Sequence, residues 1–359
     1  MAWQPSEGAP ARLALLRLSA LGDVSHVLPV VHRLRRAWPQ TALTWVLGRR
    51  EHALLGALPG VDFALLDKAA GWRGYRALAR QLRGRHFEAL LLMQVSMRAH
   101  LASRCLRADY RLGYDRVRGR DAHGLFVNAR IAPVDRQHVL DAQWSFLDAL
   151  GVPDAPRCWD LPIQAPARDW AVAQLPGAQP TLLISPASSV ALRNWHAPGY
   201  AAVARYAVHE LGMRVALVGG PSAAERALGA QIRAAAGDTP LLDLIGRDTL
   251  PRLLALLDRA TVLLSPDSGP AHLAAITDTP VIGLYAVSNP QRCGPYKSLM
   301  HCVDAYPRAC EQILLRRADS LPWGTRVESP AAMALIQADE VCARLQALLA
   351  GGDRLREAS

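Results

Sequence analysis

The chain has 359 residues, of which 51% are apolar and 20% charged, and it carries a net charge of +10. This length is about twice that of a typical domain, and the composition buries a core, which excludes a disordered or fibrous protein and favours two domains. No uninterrupted apolar run reaches the roughly 18–20 residues that cross a bilayer, and no basic segment of the secretory type starts the sequence, so we expect neither a membrane span nor a signal peptide.

Strand patterns alternate with amphipathic helix patterns through the first half of the chain. Strands are predicted at 13–18, 43–47, 63–66 and 89–93, and helices near 24–38, 52–58, 75–82, 98–106 and 139–150. Gly151 and Pro153 end the last of these helices. The segment between Leu106 and Val139 is irregular and rich in Arg and Gly, and no element is assigned to it.

A proline-rich stretch from Pro153 to Pro180 is interpreted as the linker between two domains. After it, strands are predicted at 181–184, 215–218, 241–245, 261–264 and 281–284, and helices near 200–211, 223–236, 250–257 and 270–276. This alternation favours two doubly wound α/β units with parallel sheets. The predicted domains cover residues 1–165 and 175–335, and a last helix within 336–359 is expected to pack back on the N-terminal domain.

The positive charge is concentrated in the N-terminal half, with a net charge of +9 over residues 1–160 and +1 over residues 161–359. This half is either a solvated arginine-rich surface or the binding face for an anionic partner. The chain has only four Phe and eight Tyr to stack on bases, which argues against nucleic acid. Its six cysteines form no C-x-x-C pair, which argues against zinc or disulfides and favours a reduced cytoplasmic protein.

Three loops that follow predicted strands carry the candidate site residues, because ligands of such folds bind beyond the carboxyl ends of the strands. The first loop, residues 19–23, lacks the full G-x-G-x-x-G motif, which disfavours an NAD-dependent dehydrogenase. Its Asp23 is either the N-cap of the next helix, which the local sequence favours, or a carboxylate at the ligand site.

The second loop, residues 186–195, contains Ser188, Ser189 and Arg193. Hydroxyl groups can donate to a phosphate and a guanidinium can neutralise it, although an ordinary polar loop has the same composition. In the third loop, Asp267 or Ser268 can cap a helix that begins near Pro270, and the N-terminus of that helix would then face a diphosphate.

These segments resemble the signatures of glycosyltransferase family 9, the heptosyltransferases of lipopolysaccharide core synthesis. Residues 19–26 (SALGDVSH) are similar to its N-terminal signature and residues 267–275 (DSGPAHLAA) to its C-terminal one, and residues 193–195 (RNW) stand where members usually have Lys-x-Trp. The order and spacing match over roughly residues 12–345. The chain departs from the usual pattern at Arg193, at Ser188 and Ser189 where Thr is frequent, and at Gly269-Pro270.

The resemblance implies a GT-B fold, in which two Rossmann-like domains face a central cleft, and an inverting transfer that needs no metal or other cofactor. It also implies a nucleotide-diphosphate-sugar donor, ADP-heptose, and a Kdo residue of the lipid A inner core as acceptor. Asp23 resembles the general base, and Glu225 the acid that binds the ribose. The remaining donor-binding residues that the resemblance implies are Ser188, Ser189, Arg193, Asp267, Ser268, Gly269 and His272; on the local sequence alone, His272 is a packed helix residue.

Four arginines spaced by three and four residues, Arg73, Arg76, Arg80 and Arg83, lie on one side of a predicted helix opposite Leu78 and Leu82. We expect this basic face to bind the phosphorylated acceptor at the cytoplasmic face of the inner membrane, with a solvated face as the alternative.

Three other functions are compatible with the sequence: a family 9 transferase with a different donor or acceptor, a GT-B epimerase, and a non-catalytic anion- or nucleic-acid-binding protein. The epimerase needs further acidic and histidine residues that have no evident place here. An anion-binding site gains nothing from the carboxylate at Asp23, which disfavours the non-catalytic protein.

Overall fold

The structure is a computed structural model that describes the backbone of residues 3–357 and the side chains of residues 3–351, so the ends of the predicted segments 1–165 and 336–359 lie outside it. The chain forms two compact units, Met1–Pro162 and Ile163–Ser359. No helix of the described residues combines the length and the apolar character of a membrane span.

The first unit is a six-stranded parallel sheet with the strand order β3-β2-β1-β4-β5-β6. Its strands are β1 (Arg12–Leu16), β2 (Ala42–Gly48), β3 (Asp62–Leu66), β4 (His86–Leu92), β5 (Arg107–Gly113) and β6 (Ala129–Arg130). Its helices are α1 (Leu21–Ser25), α2 (Leu28–Ala37), α3 (Arg49–Leu55), α4 (Trp72–Gln81), α5 (Met97–Ser103) and α6 (Val139–Ala149).

The second unit has a sheet of the same kind, with the order β9-β8-β7-β10-β11-β12. Its strands are β7 (Thr181–Ile184), β8 (Arg214–Leu217), β9 (Leu241–Asp243), β10 (Val262–Pro266), β11 (Val281–Tyr285) and β12 (Val303–Asp304). Its helices are α7 (Ala165–Gln174), α8 (Ala197–His209), α9 (Ala223–Ala236), α10 (Leu250–Arg259), α11 (Gly269–Leu273), α12 (Pro290–Cys293), α13 (Tyr306–Ile313) and α14 (Ala338–Glu357).

Each sheet is covered by helices on both faces, which is why its central strands are apolar without alternation. Four consecutive residues of β1, Leu13 to Leu16, are completely buried, and so are Leu90 to Leu92 of β4. In both units the strand order reverses beside the first strand, between β1 and β4 and between β7 and β10. Loops that leave the carboxyl ends of these neighbouring strands border a crevice, which is where such sheets bind ligands.

The predicted doubly wound α/β architecture is confirmed, and most strands lie within two residues of their predicted positions. The predicted helix near 24–38 is two helices, because Pro29 cannot donate a backbone hydrogen bond and its ring excludes a continuous turn through Ser25. The segment left without assignment contains β5 and β6, and the predicted linker contains α7, which packs on α10.

The final helix belongs to the second unit. It packs on α8 and on the β11 and β12 edge of the sheet, and Val341 and Leu345 are completely buried there. These contacts hold the helix on the second unit, and its expected packing on the N-terminal domain stays a prediction.

Candidate functional site

Asp267 directly follows β10 and is the most enclosed acid of the three predicted loops, with a side chain only 8% exposed. Its Oδ2 accepts a hydrogen bond from the Ser288 hydroxyl at 2.5 Å and lies 3.2 Å from Nη1 of Arg193. Burial raises the pKa of Asp267, but hydrogen bonds from His272 and Ser288 and the charge of Arg193 together lower it below its usual value. The carboxylate is therefore held in its charged form.

Arg193 and Ser188 come from the loop after β7, which is the neighbour of β10 in the sheet. The Ser188 hydroxyl donates to the backbone carbonyl of Asp267 at 2.9 Å, so the two loops are joined directly. Arg193 contacts the same residue, yet its Nε is buried and has no hydrogen-bond partner among the described residues. An unpaired buried N–H is costly, so this donor is suited to an anionic ligand. Ser189 is exposed at the start of the turn.

The predicted capping of the third loop is wrong. Ser268 occupies the N-cap position of α11, but its hydroxyl pairs with the Ser265 hydroxyl at 2.8 Å and does not cap the helix. Asp267 instead directs its carboxylate to Arg193 and Ser288. The helix begins at Gly269, and His272 lies in it as a buried residue with Nε2 3.9 Å from Oδ1 of Asp267.

Glu225 lies in the first turn of α9, after the exit of β8, where its carboxylate is bound by its own loop. Oε1 accepts a hydrogen bond from the backbone N–H of Gly220 at 2.8 Å, and Oε2 accepts one from the Ser222 hydroxyl at 2.6 Å. Ser222 in turn accepts from the backbone N–H of Glu225. Ser222 is therefore the N-cap of α9, and the Glu225 carboxylate supports that cap by accepting from the Gly220 N–H and from the Ser222 hydroxyl.

A second acid on this side, Asp248, was not predicted as a site residue. It follows β9, next in the sheet to β8, and its Oδ1 is buried without a hydrogen-bond partner among the described residues. Burial raises the pKa of Asp248 to about 7, and the negative charge of Glu225 contributes to the increase. An acidic residue in a strand-exit loop was the signal that could have identified it.

Asp23 lies in the first turn of α1, directly after β1. Its Oδ2 accepts a hydrogen bond from the backbone N–H of Ala20 at 3.0 Å and forms an ion pair with Arg17 at 2.6 Å. The N-cap position belongs to Ala20, so Asp23 is not the cap itself. No described residue donates to Oδ1, and the side chain is 35% exposed, which leaves one carboxylate oxygen accessible to a ligand.

The basic helix of the first unit is confirmed in part. Leu78 and Leu82 are buried, whereas Arg73, Arg76 and Arg80 are exposed on the opposite side of α4. Arg83 is also exposed, but it lies two residues beyond the end of the helix and does not belong to its face.

Two residues that the sequence left without a role complete the surroundings of Asp267. Ser288 and Cys293 both reach Oδ2, the Cys293 thiol at 3.7 Å, and burial beside this carboxylate raises the pKa of Cys293 to about 12. A thiol with so high a pKa is inert. Among the described side chains, those of residues 3–351, no group of three or more His, Cys, Asp or Glu is arranged to hold a metal ion.

Comparison with known proteins identifies the family of the chain. Residues 75–320 match the family described as glycosyltransferase family 9 (heptosyltransferase). The chain is 38% identical to the lipopolysaccharide core heptosyltransferase OpsX of Haemophilus influenzae, over 95% of this chain and 97% of the relative.

Two solved structures have the same fold. The family 9 glycosyltransferase of Veillonella parvula superposes with a TM-score of 0.76 at 21% identity, covering 95% of this chain and 97% of its own. The Escherichia coli heptosyltransferase WaaC with ADP superposes with a TM-score of 0.73 at 18% identity, covering 94% and 99%. The chain therefore belongs to glycosyltransferase family 9, and its two Rossmann-like units are those of the GT-B fold.

Proposed function

We propose that this family 9 glycosyltransferase transfers L-glycero-D-manno-heptose from ADP-heptose to a Kdo residue of the lipopolysaccharide inner core, with inversion at the anomeric carbon. The observation that carries the proposal is the cluster of Arg193, Ser188 and Asp267 at the switch point of the second sheet. It combines a charged acid for sugar hydroxyls with an unpaired guanidinium N–H for a diphosphate. The 38% identity to a lipopolysaccharide core heptosyltransferase supports this choice of sugar and acceptor.

The donor side of the proposal follows from hydrogen-bonding capacity. Arg193 directs its unpaired Nε at the leaving diphosphate, and its charge stabilises the negative charge that accumulates as the glycosidic oxygen departs. Ser188 and Ser189 add hydroxyl donors, and Ser268, Gly269 and His272 line the diphosphate from the β10 side. Glu225 accepts hydrogen bonds from the ribose hydroxyls in addition to those from its own loop.

The acceptor side requires a base. Asp23 takes the proton of the acceptor hydroxyl on Oδ1, the oxygen that no described residue contacts, while Arg17 and the Ala20 N–H fix the orientation of Oδ2. The acceptor oxygen forms its bond to the anomeric carbon as the bond from that carbon to the diphosphate oxygen breaks, and ADP leaves. Charge on the leaving group is met by Arg193, so we propose no metal ion and no organic cofactor for the step.

The phosphorylated acceptor is proposed to dock on the basic face of α4, through Arg73, Arg76 and Arg80, with Arg83 just beyond the helix. We propose accordingly that the protein is cytoplasmic and peripheral at the inner membrane, where an acceptor with a lipid anchor is available. Nucleic acid is not part of the proposal.

A release assay tests the function. Purified protein is given deacylated Kdo-lipid A together with ADP-heptose, and nucleoside diphosphate is measured; parallel reactions contain a UDP-hexose. We expect diphosphate release that depends on both ADP-heptose and the acceptor. Release only with a UDP-hexose would identify a family 9 transferase with another donor. If none of the donors gives nucleoside diphosphate, a non-catalytic anion-binding protein is favoured.

A further inference from the structure

We propose that the carboxyl edge of the first unit's sheet docks on an anionic lipid bilayer by inserting four exposed apolar side chains, Trp72, Met97, Val117 and Leu125. These residues are called the apolar edge below. The inference rests on the proposed function only in its choice of a membrane that carries the acceptor; the docking itself can be measured without any transfer.

Topology places the apolar edge on one side of the sheet. Helix α4 starts at Trp72 shortly after β3, and α5 starts at Met97 shortly after β4, so both side chains lie near the carboxyl ends of parallel strands. Val117 and Leu125 belong to the loop that leaves the end of β5. This loop also returns there, because β6 pairs with Leu112 and Gly113, the last two residues of β5.

Asp23 follows β1 at the same edge, since all six strands are parallel. The proposed base and the apolar edge therefore lie on the same side of the first unit, where an acceptor held in a membrane would arrive.

Contacts connect the segments that carry Trp72, Met97 and Leu125. The Trp72 ring lies 5.4 Å from that of Tyr75, whose hydroxyl donates to the backbone carbonyl of Arg98, the residue after Met97. From α5, the His100 ring stacks at 4.8 Å on Phe126, the neighbour of Leu125.

The loop that carries Val117 and Leu125 is also held by a buried hydrogen bond. Nε2 of His100 is 2.8 Å from Nδ1 of His123, and Nε2 of His123 accepts the backbone N–H of Tyr114. This chain of contacts anchors the loop to α5 and therefore fixes the position of the loop that carries Val117 and Leu125.

All four side chains of the apolar edge are exposed to solvent. The exposed fractions are 69% for Trp72, 83% for Val117 and 79% for Leu125, and Met97 is 47% exposed. A single exposed apolar residue is ordinary on a soluble protein. Four at one edge, with a tryptophan among them, match the residues that proteins place at the interface of a membrane.

Charge complementarity identifies the occupant as an anionic bilayer. Exposed arginines lie close in the sequence to three of the four apolar residues: Arg73 and Arg76 near Trp72, Arg98 next to Met97, and Arg116 and Arg120 near Val117. Basic residues are attracted to the headgroups of anionic lipids while neighbouring apolar groups enter the acyl region. A second copy of this chain would present the same arginines and would be repelled, so an interface between copies is disfavoured.

The experiment measures binding of the full chain to vesicles of phosphatidylglycerol and phosphatidylethanolamine in equal parts, by flotation. The test variant is Trp72→Ala with Leu125→Ser, and the matched control is Met300→Ala with Leu315→Ser, two apolar residues of the second unit that are 74% and 84% exposed. Removing one or two inserted apolar side chains lowers a membrane partition coefficient by about tenfold or more. We expect that loss in the test variant and none in the control.

Trp72→Phe supplies a spectroscopic readout. It keeps an aromatic side chain and should still bind, but quenching of tryptophan fluorescence by brominated lipids should fall, because Trp72 is the ring that enters the bilayer.

Transfer to the water-soluble deacylated acceptor is measured in parallel. Normal transfer with lost vesicle binding supports the proposal, and absence of transfer by the wild type would contradict the proposed function without affecting the docking result.

Three outcomes would overturn the inference: vesicle binding by the test variant equal to that of the wild type, brominated-lipid quenching that persists in Trp72→Phe, or equal loss in the Met300 and Leu315 control. A wild-type protein that ignores vesicles but forms a dimer, and loses it in the test variant, would assign the apolar edge to self-association instead.

Discussion

Arg193 and Asp267 are 74 residues apart in the chain, yet Nη1 of the arginine lies 3.2 Å from Oδ2 of the aspartate in a site where both side chains are largely buried. Their strands, β7 and β10, are neighbours at the point where the strand order reverses, which brings the two exit loops together. The pair holds opposite charges next to an unsatisfied guanidinium N–H, so disrupting it should affect both stability and donor binding.

Arg193→Met is expected to raise the donor KM, lower kcat and destabilise the second unit. Removing one partner of a buried ion pair costs about 3–5 kcal/mol, and we expect the lower end because Ser288 and His272 still face Asp267. Steady-state kinetics and thermal unfolding measure the two effects. Arg193→Lys keeps the charge but loses the fork of donors, and should recover stability more than kcat.

The control is Arg233→Met, which breaks an ion pair with Asp243 in the same unit whose side chains are 50% and 32% exposed. An exposed pair contributes little, so this variant should keep the wild-type KM and Tm. Equal kinetic defects in Arg193→Met and Arg233→Met would remove Arg193 from the donor site.

Glu225→Ala should raise the donor KM while sparing the acceptor KM, because the lost carboxylate is proposed to bind the ribose. The same change removes the acceptor of the Gly220 N–H and of the Ser222 hydroxyl, which costs about 1 kcal/mol of stability. Ser222→Ala separates the two effects, since it removes the hydroxyl that caps α9 and contacts the carboxylate, and leaves the carboxylate itself. If Ser222→Ala raises the donor KM as much as Glu225→Ala does, the role of Glu225 is purely structural.

The raised pKa of Asp248 predicts a pH dependence of stability. The folded protein keeps this carboxyl protonated up to about pH 7, whereas the unfolded chain releases the proton near pH 4, so the folded state binds more protons in between. The contribution of Asp248 to stability is therefore full below about pH 4 and lost as the pH rises through about 7.

Asp248→Asn should flatten the change of Tm over this range and raise Tm at pH 8 relative to the wild type, as measured by thermal unfolding in buffers of matched ionic strength. Asp258→Asn changes an exposed acid of α10 and should leave the profile as it is. A wild-type slope retained in Asp248→Asn would show that another group titrates.

The sequence predicted those strands whose own residues carry an apolar pattern, and it missed strands that depend on contacts made elsewhere in the fold. Apolar runs such as Leu13–Leu16 and Val281–Tyr285 are buried on both faces and were readable as strands. The strand β5 was not, because Arg107, Asp109 and Arg111 interrupt its pattern; Arg111 is held by backbone carbonyls of Ser103, Leu106 and Phe126, which only the folded chain supplies.

The candidate site shows the same limit. Asp267 and Arg193 lie in recognisable motifs. Ser288 and Cys293 contact Asp267 from the chain beyond β11, and no pattern in their own segments predicts that contact. Conversely, the Ser222 cap of α9 is a local signal, because a serine before a helix pattern is a frequent N-cap, and the structure places its hydroxyl on the Glu225 N–H.

Asp23→Asn should fold normally and lose transfer. An asparagine oxygen can still accept the Ala20 N–H, so the first turn of α1 is preserved, but the side chain no longer takes a proton. Loss of a general base lowers a rate by about 10²–10⁴-fold. The measurement is kcat with ADP affinity as the check on the donor site, and Asp62→Asn, in an exposed ion pair with Arg85, is the control. Unchanged kcat in a folded Asp23→Asn would leave Asp23 with only its structural contacts.

Reversing Arg76 and Arg80 to Glu should weaken use of the lipid-anchored acceptor and binding to anionic vesicles, while ADP affinity stays unchanged. Both residues are exposed on α4, opposite the buried Leu78, so the change leaves the core alone. Because exposed charges are screened over about 8–10 Å at 0.1–0.15 M salt, the acceptor KM of the wild type should rise with ionic strength and that of the variant should not.

Arg168→Glu with Arg326→Glu makes the same change of net charge on exposed positions of the second unit and is the control for net charge. Equal acceptor KM values for the wild type and the α4 variant at low salt would show that this basic face is solvated and does not bind the acceptor.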